Sequence, residues 1–291
     1  PGPVQPIEIP QRLDLSVSQR ESRELLYCLS TFGAGGHLMR EIVLFIGPAG
    51  SGKTTLVGAF ARWLKRRQMV RAGLVNLDPG AEMLPYKPDV DVRKYVRLED
   101  VMLKEGLGPN GALIRSMELL SQHESTLLGE LKAMPTPYIL VDTPGQMELY
   151  LFRDFGLRFT ERLKELGAVV VVLVLDPTLS QRPQDLVVLK LLALVVQFRF
   201  GVSVIPVINK ADLIGENGPG EPETLLSGEA LREKLGKETG VLGDLAEQIL
   251  DVMDNFKLAI RIPLVSAAKG RGLEKLYDVL HEVFCACGDM T

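Results

Sequence analysis

Cysteine, histidine and net charge are all scarce in this chain, and each shortage excludes something. Of 291 residues only three are cysteines, Cys28, Cys285 and Cys287. That is no disulfide framework of the kind that staples a small secreted fold. The pair Cys285 and Cys287 invites a metal reading, but a structural zinc site wants four ligands. The three histidines, His37, His123 and His281, sit in no ligand spacing, so ordinary free thiols are expected. The net charge of −4 offers no general electrostatic ground for binding nucleic acid or an anionic membrane. No apolar run approaches the ~20 residues of a membrane span. The richest stretches, 168–175 and 186–196, are short, and Lys190 interrupts the second. No segment has the basic start and apolar centre of a secretory leader, so a cytoplasmic protein is expected.

What the chain does have is a core and one organising stretch. Apolar residues make up 46% of it, and the length suits one large domain or two small ones. Residues 42–46 are five apolar residues in a row and read as a buried strand. Gly47, Gly52, Lys53 and Thr54 then fit the pattern G-x-x-x-x-G-K-S/T without a mismatch. After Thr55, residues 56–64 have helical apolar spacing. Strand, glycine loop and helix thus come in the order a phosphate-binding loop needs. Glycine lets the backbone turn tightly and approach an anion. Consecutive N–H groups from Gly50 through Ser51, Gly52 and Thr55, with the positive end of the helix, then face the phosphates. Lys53 is expected at the β- and γ-phosphates and the Thr54 hydroxyl on Mg²⁺.

Other strands end in chemistry of the same kind. A strand at 72–77 leads to Asp78-Pro79-Gly80, where Asp78 either orients water and holds Mg²⁺ through water or simply forms a turn. A strand at 138–141 delivers Asp142-Thr143-Pro144-Gly145-Gln146. Asp142 suits outer-shell Mg²⁺ binding, Gly145 can present its N–H to the γ-phosphate, and Gln146 can orient water with help from Glu148. Strand 168–175 and helix 185–200 precede a strand at 202–208 that ends in Asn209-Lys210-Ala211-Asp212. Guanine offers two donors, at N1 and the 2-amino group, and the Asp212 carboxylate can accept both; adenine would leave it unpaired. Asn209 can fasten the loop, and the Lys210 stem can cover the ring. After a strand at 260–265, Ser266-Ala267-Ala268-Lys269 can bring the Ala267 or Ala268 N–H to guanine O6. Two such loops favour GTP over ATP.

The alternation of strands and helices predicts an α/β P-loop fold, a mainly parallel sheet with helices on both faces. Residues 1–39 read as a mobile extension, with the domain from 40 to 291. Residues 214–258 read as an insertion with helices from about 229 and at 245–254, and 272–284 as the last helix. The segment 85–93 is expected to be irregular and 95–104 helical. Gly108-Pro109-Asn110 stands alone as a turn, ahead of one long helix over 112–134.

With these pieces placed, the chain resembles the GPN-loop GTPases, from about residue 40 to its end, and the archaeal members most. The matching residues are 47–54, 78–80, 108–110, 142–148, 209–212 and 266–268. The resemblance implies a homodimer that hydrolyses GTP to GDP with Mg²⁺. Gly108, Pro109 and Asn110 would then meet the phosphate region of the partner's nucleotide, with Asn110 supplying a donor in trans. It also implies a second reading, a GTP-gated assembly switch whose hydrolysis resets a binding surface. Eukaryotic relatives are linked to RNA polymerase assembly, so the client expected under this reading is a protein of that kind. A dimeric partitioning or maturation ATPase is a third reading, but the additional lysine of that class is absent from 48–51. A nucleotide kinase would leave Gln146 and the tetrad 209–212 unexplained.

Overall fold

The computed structural model describes residues 40–177, 183–214, 228–235, 245, 248–251 and 262–288. The expected extension 1–39 and most of the insertion 214–258 lie outside the described residues. Six strands form one parallel sheet: β1 (Arg40–Ile46), β2 (Ala72–Asn76), β3 (Val90–Asp91), β4 (Tyr138–Asp142), β5 (Gly167–Leu175) and β6 (Ser203–Ile208). Their spatial order is β3-β2-β4-β1-β5-β6. The chain starts at the centre, builds one side, and then crosses β1 to build the other. Beyond β6, Leu264 makes a single parallel bridge to Ile208, which is what the structure describes of the strand expected at 260–265.

The helices are α1 (Lys53–Trp63), α2 (Leu98–Glu105), α3 (Pro109–Gln122), α4 (Glu124–Ala133), α5 (Met147–Leu151), α6 (Asp154–Lys164), α7 (Pro183–Phe200), α8 (Gly228–Leu235) and α9 (Leu273–Gly288). Burial on both sheet faces explains the unbroken apolar strands. In β1, residues 42 to 46 are all 0% exposed. Alternate side chains serve opposite faces. Ile42, Leu44 and Ile46 join one core with Phe155, Phe159 and Leu163 of α6. Phe45 meets Phe60 of α1, with ring centroids 6.4 Å apart. The lone tryptophan, Trp63, stacks on Phe60 and tilts against Tyr277, tying α1 to α9. Among the described residues no helix is long and apolar enough to cross a membrane.

Three expectations need correction. The helix expected over 112–134 is two, α3 and α4, broken at His123 (φ −102°, ψ 5°). Its ring stacks on Tyr95 at 4.9 Å, and the Tyr95 hydroxyl donates to Glu130 at 2.7 Å. Met117 and Leu120 before the break and Leu127 and Leu131 after it are all buried, so the apolar period runs across the bend and hides it. Secondly, Pro109 is the first residue of α3 rather than part of a preceding turn. Proline suits that position because its missing N–H would have no intrahelical partner anyway. Lastly, the segment 85–93 is not wholly irregular: Val90 and Asp91 form edge strand β3, paired with Val75 and Asn76. The flanking Pro85 and Pro88 mask so short a strand.

Candidate nucleotide site

In a parallel sheet the ligand edge lies beyond the carboxyl ends of the strands, where the strand order reverses. Here β1 leads to Gly47, β2 to Asp78, β4 ends in Asp142, β5 leads to Asp176 and β6 to Asn209. Polar chemistry from distant parts of the sequence is thus delivered to one edge.

The glycine loop departs from β1 as the pattern demands. Gly52 has φ +88°, and a Cβ there would come within 2.5 Å of the Asn209 amide nitrogen. Both the backbone and the close approach therefore require glycine. Lys53 is 4% exposed. Its ammonium donates to the carbonyls of Gly47 (2.8 Å), Pro48 (3.0 Å) and Gly145 (2.9 Å). Burial lowers its pKa from the lysine value, opposed by the nearby carboxylates of Asp142, Asp78 and Glu148. Ser51 is buried, and its hydroxyl makes no hydrogen bond.

Around Lys53 stand the carboxylates predicted for it. Asp142 is fully buried. Burial pushes its carboxyl up to about 6, against the Thr54 and Tyr86 hydroxyls and Lys53, which favour the ionised form. Its Oδ2 accepts from the Tyr86 hydroxyl at 2.9 Å; the Thr54 hydroxyl bears on the carboxylate without closing a well-formed hydrogen bond, so Oδ1 is left without a partner. Leaving such an atom unpaired costs ~1–3 kcal/mol, so it marks where a ligand shell belongs. Asp78 accepts from the Gly80 N–H (2.8 Å, Oδ1) and the Gly145 N–H (2.9 Å, Oδ2). Burial raises its carboxyl, and those two N–H groups oppose the rise. The Gly145 N–H, expected at the γ-phosphate, is thus given to Asp78. Hydroxyl and carboxylate oxygens are the donor set of a hard divalent cation, so Thr54, Asp142 and Asp78 fit Mg²⁺. Gln146 is the N-cap of α5, and Glu148 lies exposed in its first turn.

The loop bearing Asp78 is itself held. Buried Asn76 accepts from the Asp78 N–H at 3.1 Å and donates to the Asp91 carboxylate at 3.0 Å. Arg93 grips the same carboxylate and reaches back to the Ala81 carbonyl at 2.8 Å. The α2–α3 pair rests on this loop. The Leu98 N–H donates to the Pro79 carbonyl at 3.1 Å, and a Cβ on Gly80 would lie 3.6 Å from Leu113 of α3. Gly108, Pro109 and Asn110 stand exposed at the start of α3.

At the other end, Asn209 is 1% exposed and acts as a clamp. Its amide donates to the Ser51 carbonyl at 2.9 Å, and its Oδ1 accepts from the Ala267 N–H at 3.1 Å. The Ala267 N–H is thereby engaged, whereas Ala268, the other expected donor, is exposed. Lys210 is left-handed (φ 57°) and pairs with Asp176 at 2.8 Å. Asp212 is exposed and accepts from the Ser266 hydroxyl. That hydroxyl holds its carboxyl below the usual carboxylate range, with Lys269 and Arg271 adding to the effect.

The structure therefore gathers the predicted Lys53, Asp78, Asp142, Gly145 and Glu148 around one point, and Asn209, Lys210, Asp212, Ser266 and Ala267 around another. It adds Tyr86, Asn76, Arg93 and Asp176, which sequence reading passed over. None of these lies in a motif whose spacing carries chemistry. Cys285 is exposed, with its sulfur 3.6 Å from His281 Nδ1. Among the described residues no three or more histidine, cysteine and acidic side chains come together as a metal-holding group, so the fit to Mg²⁺ needs the Thr54 hydroxyl beside its two carboxylates.

A phosphate-loop motif after β1 and the loop expected to meet a purine after β6, on a parallel sheet, have the layout of a P-loop GTPase. A family model described as "conserved hypothetical ATP binding protein" matches residues 45–286. The chain is 36% identical over 253 residues to the GPN-loop GTPase PAB0955 of Pyrococcus abyssi, covering 86% of this chain and 100% of that protein. It belongs to the GPN-loop GTPase family. The crystal structure of PAB0955, described as a GTPase in apo form, aligns with a TM-score of 0.75 at 35% identity, over 85% of this chain and 98% of that one. GPN-loop GTPase 1 of Dictyostelium discoideum is 28% identical over 81% of this chain, which spans only 59% of that longer protein.

Proposed function

We propose that the protein is a homodimeric GTPase that hydrolyses GTP to GDP and phosphate with Mg²⁺, its loop 108–110 acting across the dimer. The observation that carries this reading is the meeting of Lys53, Asp78, Asp142 and Glu148 beside the glycine loop, the parts phosphoryl transfer needs. Lys53 binds the β- and γ-phosphates, and the residues around Asp212 take guanine. Gln146 orients the attacking water, assisted by Glu148 and Asp78. The Thr54 hydroxyl would hold Mg²⁺ directly, and Asp142 and Asp78 would do so through water. The ion supplies positive charge against the oxygens of the transferring group. The site still needs donors where charge develops, and the exposed Asn110 of a second subunit supplies one.

Trans action has a direct test. Asn110→Ala and Gln146→Leu should each lower turnover with GTP binding kept. Mixing the two variants should restore activity, because one site of the mixed dimer then has its own Gln146 and the partner's Asn110. Failure to restore activity would place the loop in cis.

A second reading, a GTP-gated assembly switch, is favoured by the Gly145 peptide. Its N–H is held by Asp78 and its carbonyl by Lys53. A γ-phosphate competes for both donors, and the loop at Asp78 carries the α2–α3 pair. Nucleotide state would then be read out at that pair. A protein client, such as a component of RNA polymerase assembly, belongs to this reading; nucleic acid and membrane do not. The proposed setting is the cytoplasm.

A further inference from the structure

We propose that Tyr86 is a positioning residue for the metal site: its hydroxyl fixes one oxygen of Asp142 so that the other is presented to the water shell of Mg²⁺. The inference rests on the reading of Asp142 as a metal-side carboxylate. The two oxygens of a carboxylate are chemically equivalent until something breaks the symmetry. Here Oδ2 accepts the Tyr86 hydroxyl at 2.9 Å, while Oδ1, on a fully buried residue, has no hydrogen-bond partner. A buried acceptor left open beside a committed one points to Oδ1 as the atom that meets the ligand.

The origin of Tyr86 sharpens the argument. It lies in the connection between β2 and β3, far in sequence from Asp142. It packs on α1: a Cβ at Gly58 would lie 3.4 Å from the Tyr86 ring and 3.3 Å from Pro85. Arg62 of α1 donates to the Pro85 carbonyl at 3.2 Å. The first turn of α1 carries Thr54. One phenol thus links the helix that bears the metal-binding hydroxyl to the strand that ends in the metal-side carboxylate. It can set their separation without touching metal or nucleotide. Groups that orient metal ligands from behind in this way affect metal affinity strongly.

Tyr86→Phe removes the hydroxyl and keeps the ring on Gly58, so it is the variant to make. The readout is retention of a fluorescent GDP analogue as Mg²⁺ is titrated, which needs no turnover. The Mg²⁺ concentration giving half-maximal retention should rise about tenfold, as for lost orienting partners of metal ligands. GDP affinity in EDTA should stay at its wild-type value, while the unfolding temperature in EDTA should fall by a few degrees because buried Oδ2 loses its donor. Unchanged Mg²⁺ dependence overturns the proposal, since a fall in unfolding temperature alone would make the hydroxyl merely structural. Asp142→Asn is run beside it. If that variant leaves Mg²⁺ dependence unaltered, the metal reading of Asp142 itself fails. If it raises the requirement while Tyr86→Phe does not, only the role of Tyr86 is lost.

Discussion

The two ends of the proposed nucleotide site solve opposite electrostatic problems. At the phosphate end, Lys53 and Asp142 are sunk into the protein and Asp78 is half-buried, and burial works against the charge of each of them. At the base end, Asp212 is exposed, and its neighbours hold it firmly ionised. Charges that burial disfavours lean on one another, so adding or removing one disturbs all. A charge on an exposed carboxylate, held by one hydroxyl and by cations open to solvent screening, can be altered alone. The difference teaches that the phosphate end should behave as one coupled unit and the base end as a reader with separable parts.

Lys53→Ala should break the coupled end most severely. Three carbonyls lose their donor, and Asp142, Asp78 and Glu148 lose a neighbouring cation. Turnover should fall about a thousandfold, the scale seen when a donor to developing charge is removed. Steady-state phosphate release measures it; a loss of only a few fold would show that the phosphate end is not coupled.

Asp142→Asn should expose the same coupling through pH. The Asp142 carboxyl stands at about 6 when folded, against about 3.9 when unfolded. Between those values the folded chain keeps a proton that the unfolded chain has released. Stability therefore falls as pH rises through that window and is level above it. The cost at neutral pH is on the order of 3 kcal/mol. The asparagine variant cannot ionise, so its stability relative to wild type should grow from pH 4 to pH 6.5 by that order. Urea unfolding without metal, at several pH values, reads the change in the gap, and a gap independent of pH would remove burial as the cause.

Asp212→Ala tests the reader. It should weaken GTP binding about thirtyfold, as for loss of hydrogen bonds to a charged group, and leave ATP binding where it was. Equal losses for both nucleotides would mean that the loop is scaffolding rather than a base reader.

The same contrast explains what could be read from the sequence. The phosphate loop was legible because its chemistry is local: the glycines, Lys53 and Thr54 are neighbours in the chain. The sheet was legible too, since strands buried on both faces, such as 42–46 and 168–175, leave unbroken apolar runs. The break at His123 was not, because the apolar period survives it. Helices α5 and α6 were hidden although Phe155, Phe159 and Leu163 have helical spacing, because α5 is only five residues long and Phe152 and Arg153 break the pattern before α6 begins. Tyr86 was illegible for a deeper reason. Its partner is on another strand, and only the crossing of β2, β4 and α1 brings a tyrosine between two prolines to a carboxylate. Asp176 and Lys210 meet across β5 and β6 in the same way.

The smallest expected effect is the most discriminating for separability. Ser266 is 1% exposed, and its hydroxyl donates to Asp212 while accepting from the Lys269 N–H at 3.2 Å. Ser266→Ala removes that donor and lets the Asp212 carboxyl drift up towards its ordinary value. That value is near 4, so the group stays ionised at neutral pH, and water can replace the lost hydroxyl at an exposed carboxylate. Only orientation is lost. GTP affinity should fall about threefold, on the scale of one modest hydrogen bond, with ATP affinity unchanged and turnover at saturating GTP kept. Calorimetric titration with each nucleotide measures it. A loss as large as that of Asp212→Ala would mean that the base end is as tightly coupled as the phosphate end, and the contrast between them would collapse.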